Sequence, residues 1–96
     1  MDPQLKAKKL VAMYNNDFPE NDNLPAMRAN DFFVVWFSKT LQNWKALVGS
    51  NHPELEGLYF EVTHNGTRSE TYIDVYLKIA NVKVKDRDFN AKVAGK

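Results

Sequence analysis

Phe32 to Val48, FFVVWFSKTLQNWKALV, is the stretch that decides the fold. Phe32 to Phe37 is apolar at every position, the pattern of a strand covered on both faces. Its aromatic and β-branched content favours strand over helix. Lys39 to Asn43 reads as a turn, after which Trp44, Ala46 and Val48 alternate with Asn43, Lys45 and Leu47 in a second strand. A helix from Ser38, with Leu41, Trp44 and Val48 inward and Gly49 as its stop, is the rival reading of this half. The preceding run favours a central hairpin against which the rest packs. Trp36 and Trp44 are both expected in its core, since indoles seldom sit wholly exposed. On that reading Trp36→Ala costs about 3–5 kcal/mol.

Working outward, Asp2-Pro3 is a helix start, with Asp as cap and Pro where a missing N–H costs nothing. Ala7, Leu10, Val11 and Tyr14 follow at helical spacing, and Asn15-Asn16 should end the helix. Phe18 to Asn30, with two prolines and three asparagines, reads as a loop pinned by Phe18, Leu24 and Met27. Beyond the hairpin, Gly49 to Gly57 is a surface connection. Leu58, Phe60 and Val62 then alternate with Tyr59, Glu61 and Thr63. Asn65-Gly66 is a strong hairpin signal. The return strand sets Ile73, Val75 and Leu77 on the face of Phe60; a four-residue loop places Phe60 opposite Ile73 and keeps Glu61 away from Glu70. Val82 and Val84 extend this strand past a bulge at Ala80-Asn81.

The fold expected is α+β: an N-terminal helix packed on a four-stranded antiparallel β-meander. This order resembles the cystatin-like layout of a helix and a curled sheet. The Gln-x-Val-x-Gly segment of inhibitory cystatins has no match here. Ninety-six residues make one domain, 1–85, able to bury roughly 60–65% of its unfolded surface, followed by a polar, flexible tail, 86–96.

Composition narrows the function classes. Apolar residues at 44% and charged residues at 26% are those of a folded protein, and six Phe, four Tyr and two Trp give a small core mass. The absence of cysteine excludes disulfides and thiolate metal sites and points to a reducing cytoplasm. No apolar run approaches the roughly 20 residues of a membrane helix. The net charge of +1 is unevenly spread: residues 80–96 hold five basic side chains against Asp86 and Asp88, while the rest is slightly acidic. The body therefore lacks a phosphate-binding face.

Catalytic groupings are weak. His52, Glu54 and Glu56 lie within five residues, but Pro53 and the loop setting oppose convergence on a metal, and solvated loop charges are the simpler reading. His64 and Asp74 lie on neighbouring strands without facing each other. No serine occupies a nucleophile elbow, and the four glycines are too scattered to cradle a phosphate. No catalytic residue, metal site or cofactor is expected, and the protein is read as not an enzyme.

The face opposite the core carries more information. Tyr59, Glu61, Thr63, Tyr72, Asp74, Tyr76 and Lys78 make a polar-aromatic strip of the composition found at recognition surfaces. Two plainer readings stand beside it: tyrosine suits exposed strands in general, or the 18–30 loop covers this face. The polar turn supplies a second candidate contact, formed by Lys39, Gln42, Asn43 and Lys45.

Val34 to Leu47 (VVWFSKTLQNWKAL) resembles the signature segment of an uncharacterised family of small phage- and prophage-encoded proteins of Gram-positive bacteria. Tyr59–Gly66 (YFEVTHNG) and Glu70–Tyr76 (ETYIDVY) are similar to its second half. The likeness implies a bacterial cytoplasmic setting and an accessory protein that binds a host or phage protein, such as an inhibitor of a host defence system. It transfers no functional residue. Homodimerisation through the tyrosine face is a further expectation. The alternative is a nucleic-acid-binding protein using the basic tail and exposed aromatics, and a third reading is a ligand pocket between helix and sheet.

Overall fold

The computed structural model describes residues 1–18 and 24–94 of the chain. Helix α1 spans Pro3–Asp17, and four strands follow: β1 Phe32–Thr40, β2 Asn43–Ser50, β3 Leu58–Asn65 and β4 Glu70–Leu77. Single 3₁₀ turns lie at Ala29–Asp31 and Pro53–Leu55, and a second helix, α2, spans Asp86–Ala94. The strands form one antiparallel sheet in the order β1-β2-β3-β4, which is the expected α+β meander. Residues 38–48 are hairpin, not helix.

The start of α1 follows from its first residues: Pro3 opens it and the Asp2 carboxylate accepts from the Gln4 amide at 3.4 Å. The helix runs to Asp17 despite its asparagines because both side chains are hydrogen-bonded, one within the helix and one to the chain ahead of β1. Asn15 is buried and donates to the Val11 carbonyl (2.9 Å), while Asn16 both accepts from and donates to the Met27 backbone at 2.7 and 3.0 Å. Those two bonds tie the helix end to the chain entering β1, and Met27 is buried there as expected. Leu24 packs partly buried on the core. Phe18, in contrast, is exposed and stacks on Tyr14. Residues 19–23 of the expected loop lie outside the described residues.

α1 packs on one face of β1, β2 and β3. Between them lies the core: Ala7, Val11, Ala46, Val48, Phe60 and Val62 are wholly buried, with Phe32 and Trp44 almost so. Phe60 meets Phe32 and Tyr14 edge-on, at centroid distances of 6.2 and 6.3 Å, the preferred arrangement for aromatic pairs.

Three expectations need correction. First, the Phe32–Val48 hairpin is neither central nor doubly covered, because β1 is an edge strand and α1 lies on one side only. The β1–β2 register shifts between Val34 and Trp36, so Val35 is an extra residue. A bulge of this kind re-aims the side chains beyond it. Phe32, Val34 and Phe37 therefore face the helix, while Trp36 pairs with Leu47 on the other face and is 42% exposed. Trp44 is buried as expected.

Second, the β3–β4 loop has the expected four residues, but they are Gly66 to Ser69, so Phe60 lies opposite Val75 and not Ile73. Asn65 stays in its strand and its side-chain oxygen accepts from the amides of Thr67 and Arg68 at 3.1 and 3.3 Å, organising the turn from outside it. Third, residues 86–94 form a helix where a flexible tail was expected, and Val82 and Val84 lie in a segment without helix or strand pairing. Asp86 and Asp88 in the first turn and Lys92 in the last complement the helix dipole.

Candidate functional site

The sheet face away from α1 is built by strand alternation. Register places Trp36, Leu47, Glu61 and Asp74 in one row across all four strands. The next row toward one end is Phe33, Gly49, Tyr59 and Tyr76; the next toward the other is Ser38, Lys45, Thr63 and Tyr72. Phe33, Trp36, Tyr72 and Tyr76 are 42%, 42%, 56% and 51% exposed. Large apolar side chains presented together in this way mark interaction surfaces more often than isolated ones do.

Packing fixes some of these groups. Phe33 lies over Gly49, where an added Cβ would stand 2.6 Å from its ring. Lys45 approaches Glu61 at 3.5 Å, a half-exposed pair of small energetic weight. Glu61 is directly opposite Asp74 across β3 and β4. Like charges in that relation cost stability, and the single nearby Lys45 leaves the row acidic. Tyr72 donates to Glu70 at 2.8 Å; that hydrogen bond, with the nearby negative charge, raises the Tyr72 pKa above its ordinary 10.

Of the residues singled out from sequence, Tyr59, Glu61, Tyr72, Asp74, Tyr76, Lys45 and Asn43 share this face. Lys78 follows β4 and, with Phe33 and Tyr59, borders a hollow of about 310 Å³; its amide donates to the Gly57 carbonyl at 2.7 Å. Lys39 does not join them, because it pairs with Trp44 and so shares the helix-side parity. Gln42 and Asn43 are occupied in joining the two hairpin tips. Gln42 donates to the Thr67 hydroxyl at 3.1 Å, and Asn43 accepts from the Gly66 amide at 2.9 Å. The turn itself is only Leu41-Gln42, tighter than Lys39 to Asn43. Leu41 sits at φ 55°, 82% exposed, a conformation that costs a leucine roughly 1–2 kcal/mol.

Phe33 and Trp36 were assigned to the core by their apolar run and belong instead to this face. One signal pointed to them: a chain with a single helix ahead of its sheet cannot cover both sides of that sheet.

The pair weighed as an acid–base couple, His64 and Asp74, is not brought together. His64 stacks on buried Trp44 at 5.2 Å and bonds to the Thr71 hydroxyl at 2.8 Å, on the face opposite Asp74. His52 accepts from the Glu54 amide at 3.1 Å and so caps the start of the Pro53–Leu55 turn. Among the described residues no three His, Cys, Asp or Glu side chains are placed to hold a metal ion, and no helix is long and apolar enough to cross a membrane.

A family model covers residues 4–86, the helix and the whole sheet. The chain belongs to DUF6275, a family of unknown function. No curated protein and no solved structure matches it. The DUF6275 match thus spans the open face and both hairpins, and it ends at the first residue of α2.

Proposed function

We propose that the protein is a non-catalytic accessory protein that binds a partner protein through the open face of its sheet. The observation that carries this reading is the set of exposed aromatics, Phe33, Trp36, Tyr72 and Tyr76, arranged around the Glu61–Asp74 row. Rigid aromatic side chains supply contact area at small entropic cost, and such residues dominate binding energies at interfaces. A carboxylate pair beside aromatic rings suits an arginine or lysine side chain, through charge-assisted hydrogen bonds and ring-face contact. The partner is accordingly a protein that presents a basic residue within an apolar patch. The likeness to phage- and prophage-encoded proteins supports a bacterial cytoplasmic setting and a host target, with inhibition of a defence system as the outcome of binding.

The test is affinity capture from a bacterial lysate, followed by titration of the recovered partner with purified variants. Trp36→Ala with Tyr76→Ala should weaken binding at least a hundredfold, and Asp74→Lys at least tenfold. Binding by both variants equal to that of the wild type defeats the proposal. The carboxylates on this face argue against nucleic acid there, since phosphates would meet Glu61, Glu70 and Asp74.

A further inference from the structure

A second apolar surface lies elsewhere, at the β4 edge and in the segment that follows it. Every residue from Asp74 to Val93 is exposed. Among them are Leu77 (64%), Ile79 (92%), Val82 (78%), Val84 (59%), Phe89 (59%) and Val93 (55%). α2 has nine residues, and a helix that short is marginal in water without a surface to pack on. Phe89 and Val93 are four apart, on one face of it. The radius of gyration, 16.9 Å, exceeds the roughly 12–13 Å of a compact chain this long.

The body has a matching vacancy. α1 packs over β1, β2 and β3, which leaves Val75 and Leu77 of β4 exposed on the helix-side face. Beside Val75 is a hollow of about 240 Å³ lined by Tyr14, Leu55, Leu58 and Phe60. A cavity of about 150 Å³ already accepts a benzene ring. β4 is also one of the two edges of the sheet, so its outer backbone groups are available to another strand. Charge agrees with shape: residues 1–77 hold seven basic and ten acidic side chains, and residues 78–96 hold six basic and two acidic.

We propose that residues 78–94 are an exchange arm that docks on the β4 edge of a second copy of the chain. Val82–Lys85 adds to β4 as a fifth strand, and α2 lays Phe89 and Val93 over the partner's Val75, Leu77 and the hollow beside them. A second copy is the occupant because residues 78–85 contain neither glycine nor proline to reverse the chain. The Lys78–Gly57 bond moreover carries the β3–β4 pairing on past the end of the strand. Eight extended residues reach up to about 26 Å, enough to cross to a neighbour. The exchange is reciprocal, as a two-fold dimer requires. It uses the edge and helix-side face of β4 and leaves the tyrosine face free, so it stands independently of the proposed partner binding.

Light scattering coupled to size exclusion, and sedimentation equilibrium, test it on the full chain. The wild type is expected to be a dimer. Phe89→Ala with Val93→Asp, and separately Val82→Asp with Val84→Asp, should raise the dimer dissociation constant at least tenfold. Both should keep the wild-type circular dichroism of the sheet, because these side chains are mostly exposed and lie outside the core of the single chain. Leu77→Glu, on the receiving edge, should do the same. A monomeric wild type at tens of micromolar overturns the proposal, as does a dimer that survives all three changes. So does a monomer whose β4 amides are protected from hydrogen exchange by its own arm. Dimer loss with partner capture intact supports the arm alone; the reverse would defeat only the proposed function.

Discussion

The two faces of this sheet are nearly equally aromatic, yet only one of them is core. On the helix side, Phe32, Trp44 and Phe60 are at most 6% exposed and make aromatic contacts with one another's neighbours. On the other side, Phe33, Trp36, Tyr72 and Tyr76 stand 42–56% exposed beside carboxylates. Side-chain type therefore did not decide burial. Alternation along the strands, one bulge at Val35 and the presence of a single covering helix did. A face that carries this much apolar surface without a cover is poorly explained by stability and better explained by contact with another molecule.

The sharpest way to break this comparison is to truncate one aromatic from each side. Phe60→Ala should cost about 3–5 kcal/mol, since Phe60 is fully buried among Tyr14, Phe32 and Val75. Trp36→Ala should cost under about 1 kcal/mol, as surface substitutions away from special features do. Urea unfolding of both variants measures the gap. Comparable losses would mean that the open face is a second core and not a binding surface.

Next in size is Gly66→Ala. The tips of the two hairpins meet where a Cβ on Gly66 would overlap the Gln42 backbone carbonyl, and backbone cannot move aside as a flexible side chain can. A loss of about 1–3 kcal/mol is expected, with weaker protection of the Gly66 amide that bonds to Asn43. Stability unchanged from wild type would mean that the tips are not locked together. Leu41→Asn should act in the opposite sense. Asparagine tolerates positive φ better than leucine, so a gain of about 0.5–1 kcal/mol is expected. If Leu41 also anchors a partner, the same change lowers affinity while raising thermal stability.

Much of the fold was legible. The Asp2-Pro3 start, the apolar spacing of α1 and the alternation of β3 and β4 each carry their own physical signal, and together they give the element order. The tyrosine strip was legible for the same reason, because parity survives errors of loop placement. Even with Phe60 set two residues out of register against β4, Tyr59, Tyr72, Asp74 and Tyr76 fell on one side. What was not legible depended on events without a local signature. The Val35 bulge sends Trp36 outward, and nothing in FFVVWF announces it. The Gly66–Ser69 loop follows from an Asn65 side chain acting outside the turn. α2 was missed because its residues are polar on average, and only the Phe89–Val93 spacing hints at a face.

The smallest expected effect separates the charges of the open face from its apolar groups. Tyr72 donates its phenolic proton to Glu70 at 2.8 Å. Ionising Tyr72 removes that hydrogen bond and sets a phenolate beside a carboxylate, so its pKa lies above the ordinary 10. The sign follows directly. A pKa raised in the folded state means that the contact is present below the unfolded value and is lost as pH rises through the folded one. Solvent screens this exposed pair, so the effect on stability is slight and confined to alkaline solution. Titration of Tyr72, followed by nuclear magnetic resonance, should show it ionising at a higher pH in the wild type than in Glu70→Gln. Identical titration of Tyr72 in the two proteins would remove the Tyr72–Glu70 contact from the face. Near neutral pH, Tyr72 stays protonated in either state. Partner affinity should then be flat in pH as far as Tyr72 is concerned.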